Sequence, residues 1–428
     1  MPDASGTARQ AGLIRRRHVI YVEGYDPQGA EGYYNLFARG WKRFSTIWPV
    51  TARLGELKLD GDDYAHWDLE ASGPNWQVAA RYDFLRQEQM IRANMAQPLW
   101  QQIPRALAWA ADYLVSGALI RVLRASWEFG LVLIHFQMML IWWLVLPLLG
   151  GWLVGWAAMR QLDLPAAAGW LAGAAAAAAI FLALRPLANR WFVIQINSHW
   201  PYLCAFARGD AGCFDHPIEA GARRVIAAAR ANEVDEIVVV GHSGGGALAP
   251  AVITRALELD PDVGRRGPPV VLLTLGSIAP GAALHPRAAK LRAVFARLAV
   301  EPSITWIDSQ SRKDVMNFWD FDPVEGIGVH VGRKRCNPLV WKVRYRDMLS
   351  PELYRRIHLN FFRLHYQFIM ANDRRAPYDY FMLVCGPVPV AAWAADPRGT
   401  LEAFDAAARL ADGRVAVAQR ARSASSPL

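Results

Sequence analysis

The first feature along this chain is a stretch without charge. Between Glu128 and Arg160 no Asp, Glu, Lys or Arg interrupts 31 residues, FGLVLIHFQMMLIWWLVLPLLGGWLVGWAAM, and His135 and Gln137 are the only strongly polar side chains. As a helix this run is about 46 Å long, more than the roughly 20 residues needed to cross a bilayer. A second run of 21 residues, LPAAAGWLAGAAAAAAIFLAL, lies between Asp163 and Arg185. The connector from Arg160 to Asp163 is short, so the pattern predicts an antiparallel transmembrane hairpin over 128–190, with helices at about 129–158 and 164–184. Gly169, Ala172, Gly173 and Ala176 would let the second helix approach another backbone closely. A hairpin buried in a soluble core, or one that enters the bilayer without crossing, stays open as the alternative.

Flanking charge suggests an orientation. Arg121 and Arg124 precede the first run and Arg185 and Arg190 follow the second, whereas the connector holds only Arg160, offset by Asp163. The excess of cations on one side predicts that both termini and the rest of the chain are cytoplasmic. Trp152, Trp156 and Trp170 suit an interfacial belt; Trp142 and Trp143 do not.

Outside the hairpin the pattern changes. His18–Val22 reads as a buried strand. Arg15-Arg16-Arg17 ahead of it superficially suggests a signal peptide, but the apolar run is too short and Glu23 and Asp26 end it. Tyr33–Phe44 predicts a helix. Leu54, Leu57 and Leu59, then Tyr64–Glu70, then Trp76–Phe84 predict strands, and an amphipathic helical stretch runs from about 88 into the hairpin. Beyond it come helix Ala220–Ala231, strand Glu236–Val240, helix Gly244–Leu259, strand Val270–Leu275, helix Pro286–Leu298, strand Ile304–Ile307, strand Val340–Tyr345 and a helical stretch Pro351–Ala371. Fully apolar runs such as IVVV and VVLLTL alternating with helices predict a doubly wound, mostly parallel α/β sheet interrupted by the hairpin. The expected division is 13–127 and 191–410 for the α/β domain, with disordered ends at 1–12 and 411–428.

Composition narrows the class. The 428 residues are 53% hydrophobic and 20% charged, with a net charge of +9, too apolar for a disordered chain. Four cysteines (Cys204, Cys213, Cys336, Cys385) are too few for a disulfide scaffold, and none has zinc-ligand spacing, so neither a metal nor a cofactor is expected. Basic clusters at Arg15–Arg17, Arg333–Arg335, Arg344/Arg346, Arg355-Arg356 and Arg374-Arg375 match no nucleic-acid motif and are expected to face anionic lipid headgroups. A solvated surface without a partner is the alternative.

The candidate chemistry lies at Gly241-His242-Ser243-Gly244-Gly245, a G-x-S-x-G between a strand and a helix-compatible segment. A serine there sits on a tight turn with its Oγ above the sheet edge, and the following helix N-terminus favours developing negative charge. A turn that binds phosphate, or merely closes a strand, has the same text.

In this motif and its context the chain resembles the α/β-hydrolase family. The resemblance covers roughly 15–50 and 215–370. It implies a second oxyanion donor after an early strand, often His-Gly in the family. Here Glu23-Gly24-Tyr25 stands in that place, and the backbone N–H groups of Gly244 and Tyr25 are the implied donors. The family order Ser, acid, His directs attention to ITWIDSQSRKDVMNFWDFDP. Its text resembles lipase-like sequences around Asp314, with Asp308 as the alternative acid. His365, in FFRLHYQF, resembles the text near the catalytic histidine of some lipases; His358, expected on the same helix face, and His330 are alternatives. The implied function is a membrane-anchored serine esterase or lipase with the triad Ser243, Asp314 and His365. A catalytically inactive hydrolase-fold scaffold or binding protein is the competing class, and thioesterase or amidase activity would use the same residues. Oligomeric state has no signature.

Overall fold

The computed structural model describes residues 12–210, 212 and 214–411. The ends expected to be disordered lie, but for Gly12 and Ala411, outside the described residues, as does Cys213. The chain forms two compact units: one reaches to Ile91 and resumes at Phe206, and the other is Arg92–Ala205.

The first unit is built on a mixed, mostly parallel nine-stranded sheet. Its strands are β1 Arg16–Val22, β2 Thr51–Leu54, β3 Lys58–Asp60, β4 Tyr64–Gly73, β5 Trp76–Leu85, β6 Glu236–His242, β7 Val270–Leu275, β8 Ile304–Gln310 and β9 Leu339–Lys342. Their order is β2-β4-β5-β1-β6-β7-β8-β9, with β3 also paired to β4. From β5 to β9 every pairing is parallel, while β2, β3 and β5 run antiparallel to β4. Leu54, Leu57 and Leu59 do not form one strand. The chain breaks at Gly55, whose N–H donates to Asp68 O at 2.8 Å.

The helices before the second unit are α1 Gly29–Ile47 and α2 Glu88–Met95. That unit holds α3 Leu99–Val115, α4 Ala118–Ala125, α5 Trp127–Gln161, α6 Ala166–Arg190 and α7 Val193–Arg208. After it come α8 Asp215–Ala231, α9 Gly245–Leu259, α10 Ala279–Ala283, α11 Ala289–Ala299, α12 Tyr345–Met348, α13 Pro351–Ile357, α14 Phe361–His365, α15 Tyr380–Cys385, α16 Val390–Ala395 and α17 Pro397–Glu402.

The strands running between two helical layers are apolar on both faces. Val19, Tyr21, Val238, Val240 and Leu273 pack with Phe37, Trp41 and Phe44 of α1 and with Tyr380–Cys385 of α15. The alternate residues Ile20, Val22, Ile237, Val239 and Leu272 are also buried, on the side covered by α8, α9 and α11. Neighbouring strands β1 and β6 therefore send their chains to opposite faces, β1 to α1 and β6 to α9. Their carboxyl ends flank the crevice where open α/β sheets bind ligands.

Arg17, expected in a lipid-facing basic cluster, is buried. Its guanidinium pairs with Glu236 at 2.8 Å and donates to Gly386 O and Val388 O. Arg335 is held by Asp322 and Glu325. Arg374 donates to Asp347 O and Arg346 O, and Arg375 lies over the Trp48 ring and donates to Asp405 O. These cations join segments of the fold, a role that local charge density does not reveal.

The second unit is wider than the predicted hairpin because α3, α4 and α7 belong with it. Ala106 of α3 and Val193 of α7 share an apolar cluster with Leu140 and Trp143 of α5 and Ala188 of α6. Both α5 and α6 are long and apolar enough to cross a bilayer. Their outward residues remain apolar: Leu148, Trp152, Leu153 and Leu171 are each more than half exposed. A water-facing helix carries polar residues at such positions. The pair is antiparallel, with Trp143 stacked on Phe181 at 4.7 Å. The expected small-residue approach occurs at Gly169 and Gly173. A Cβ on Gly155 would lie 2.9 Å from Gly169 O, and one on Gly151 2.5 Å from Gly173 O. The belt candidates Trp152, Trp156 and Trp170 are all outward; of the two tryptophans outside that set, Trp142 is also outward and Trp143 is buried. The helical stretch before the hairpin is broken: α3 and α4 meet at 74° across Ser116-Gly117, where Gly117 adopts a φ of 72°. Together the pair is apolar enough to count as a bent third span.

Candidate active site

Register brings the functional segments to one edge. Val22 pairs with Gly241, His242 with Leu275 and Leu275 with Ser309, so the chain leaves β1, β6, β7 and β8 side by side. Ser243 follows β6 directly and has φ 57°, the left-handed region that a non-glycine residue occupies only under strain. Backbone bonds hold it there: its N–H donates to Leu275 O at 3.1 Å, and its carbonyl accepts from Gly246 at 3.0 Å and Ile278 at 3.3 Å. The flanking glycines are required by contact. A Cβ on Gly245 would lie 2.1 Å from Val22 O, and one on Gly241 2.4 Å from Gly245 O. Ser243 itself is half-buried.

The predicted acid and base meet. His365 Nδ1 lies 2.8 Å from Asp314 Oδ2, with both side chains buried. Asp314 Oδ1 accepts from the Met316 N–H at 2.9 Å, which fixes the carboxylate. Asn317 ties the loop: its Nδ2 donates to Ser311 O and Asp314 O, and its Oδ1 accepts from the Ser311 N–H. Gly276 leaves room for Asp314, since a Cβ there would lie 3.1 Å from Asp314 Oδ2. The other ring nitrogen, His365 Nε2, is buried without a hydrogen-bond partner. With Nδ1–H donated to the carboxylate, Nε2 carries the lone pair.

The alternatives lie elsewhere. Asp308 accepts from Thr274 Oγ1 at 2.5 Å and Gln310 Nε2 at 2.8 Å, and burial raises its pKa. His330 is exposed. His358 is exposed at the end of α13, with Nδ1 on Arg355 O. The single helical stretch expected over 351–371 is split. Asn360 starts α14 by accepting from the Arg363 N–H, so His358 and His365 share no helix face. Asp322 accepts from Val324 and Glu325 and pairs with Arg335, and Asp320 pairs with Lys342.

The first residues after β1 lie against the Ser243 turn. A Cβ on Gly24 would be 3.2 Å from both Ser243 Cβ and Gly244 N. Gly244 is the N-cap of α9, and Tyr25 follows Gly24. Glu23 is buried, with Gln87 N–H donating to its Oε1 at 3.3 Å. Three residues around the pair, His242, Asn317 and Tyr366, carry little signal in the sequence. The His242 ring lies 4.7 Å from that of His365, and its Nε2 donates to His365 O at 3.1 Å. Burial and the nearby His365 push the His242 pKa well down, which favours the neutral ring. Tyr366 contacts His242 edge-on, with centroids 5.4 Å apart. His242 was visible only as the variable position of the motif, and Asn317 as a turn residue three after Asp314; no local signal marks Tyr366.

No hydrogen bond joins Ser243 Oγ to His365 Nε2 in this structure. Among the described residues, no group of three or more His, Cys, Asp or Glu is arranged to hold a metal ion. No family model, curated protein or solved structure matches this chain.

Proposed function

We propose that the chain is a membrane-anchored serine hydrolase of the α/β-hydrolase type that cleaves a carboxylic ester, with Ser243, His365 and Asp314 as its triad. The observation that carries this reading is the buried Asp314–His365 pair with an unpartnered Nε2, at the sheet edge where Ser243 is held on its strained turn. Asp314 orients the imidazole and stabilises its protonated form. His365 Nε2 takes the Ser243 proton as Oγ bonds to the acyl carbonyl carbon, and returns it to the departing alkoxide. Water, deprotonated by the same nitrogen, then cleaves the acyl-enzyme and restores the serine. The N–H groups of Gly244 and Tyr25 hold the tetrahedral oxyanion, aided by the N-terminus of α9. A catalytic hydrogen bond that closes only with substrate is common in unliganded enzymes. Thioesters and amides would meet the same machinery.

A lipidic ester is the favoured substrate class, since it reaches a chain anchored by α5 and α6 from the bilayer. In keeping with this, Leu359 and Phe361 are exposed just before His365, beside Arg355 and Arg356, a combination suited to anionic headgroups. The Arg excess at 121, 124, 185 and 190 favours cytoplasmic termini and a cytoplasmic hydrolase unit. In sealed inside-out vesicles, protease should then digest the hydrolase unit and spare the 162–165 connector; cleavage of the connector from that face would reverse the orientation.

The missing Ser243–His365 hydrogen bond is what favours the competing reading, an inactive scaffold. A fluorophosphonate probe separates the two. Covalent labelling at Ser243 of the folded full chain is expected, and folded protein that stays unlabelled would establish the scaffold.

A further inference from the structure

Tyr366 and Asp26 are far apart in the sequence, and their contact joins the loop after β1 to the residue that follows His365. Tyr366 Oη donates to Asp26 Oδ2 at 2.5 Å across a sequence separation of 340 residues. The carboxylate shapes its own turn. Its Oδ1 accepts from the Gln28 N–H at 2.9 Å, and the Asp26 N–H donates to Gly24 O at 3.0 Å. Gly24 in turn abuts Ser243 and Gly244. On the other side, Tyr366 follows His365 directly and its ring packs on His242, whose Nε2 holds His365 O. Burial and the Asp26 carboxylate push the Tyr366 hydroxyl pKa well up, so it remains a donor.

We infer that Tyr366 and Asp26 form a positioning latch that sets the distance between the oxyanion loop at 24–26 and the His365 imidazole. This rests on the triad reading and adds to it a requirement that Gly24 and His365 be fixed relative to each other before substrate arrives. Tyr366 touches no reacting atom. With the hydroxyl bond removed, one tie between the 24–26 loop and the His365 segment is lost while the Asp314–His365 pair persists. A displaced oxyanion donor slows chemistry more than it weakens ground-state binding.

The test uses the purified full chain in detergent with a short nitrophenyl ester. Tyr366→Phe is expected to lower kcat about 10- to 100-fold with KM nearly unchanged, a fraction of the loss from deleting an oxyanion donor. Asp26→Ala should match it, and the double variant should be no slower than either single one, because both remove one link. Asp26→Asn retains an acceptor for the tyrosine and should recover most of the rate. Wild-type kcat in Tyr366→Phe, additive losses in the double variant, or an Asp26→Asn as slow as Asp26→Ala would each overturn the latch. If Tyr366→Phe does not fold, the Asp26 pair decides alone. Absence of turnover in the unmodified chain would instead count against the hydrolase reading.

Discussion

Ser243→Ala is expected to lower ester hydrolysis about 10⁶-fold, to the residual rate left when a triad nucleophile is removed. The size of the effect follows from chemistry: without this hydroxyl no acyl-enzyme forms, and only the oxyanion donors and substrate binding remain to accelerate attack by water. The fold should hardly notice. Backbone bonds to Leu275, Gly246 and Ile278 keep the turn in place, and none uses Oγ. Alanine at φ 57° bears the same strain as serine. A melting temperature near that of the unmodified chain, together with lost turnover of a nitrophenyl ester, is the expected pair of measurements. A variant that hydrolyses as fast as the original would refute Ser243 as nucleophile.

The second large effect concerns the acid. Asp314→Asn is expected to cost about 10⁴-fold in turnover, because an amide facing Nδ1 favours the wrong tautomer and no longer stabilises the imidazolium. Asp308→Asn is the matched control. That carboxylate accepts from Thr274 and Gln310 and does not contact His365, so its turnover should stay close to that of the unmodified chain. Equal losses at the two positions would remove Asp314 from its assigned role. The two aspartates lie six residues apart, and only the position of the imidazole separates them.

That comparison shows what could be read from the text and what could not. Strands with uninterrupted apolar residues, such as Val270–Leu275, were legible because burial on both faces leaves no polar position. The hairpin helices were legible for a similar reason: a charge-free run has few other uses. The glycines of the Ser243 turn are legible as a motif, and their cause appears in the contacts with Val22 and Gly245. Less local features were hidden. The split between His358 and His365 depends on a capping side chain, Asn360. Arg17 looks like part of a surface cluster until Glu236, 219 residues away, supplies its buried partner. The extent of the second unit is hidden for another reason: the amphipathic period of α3 and α4 predicts a buried face but not which helices cover it, and α7 has only a weak period.

The central position of β1 bears on how the chain is made. β1 acquires β5 as a neighbour early, but its other edge waits for β6, which is synthesised only after α5 and α6. Until then a row of unpaired amides and carbonyls on an apolar strand is open to wrong pairing. Completion of the sheet therefore waits until α5 and α6 have been synthesised. A ribosome stalled within α5 or α6 leaves β1 with one open edge, and that edge is closed only when Glu236–His242 emerges.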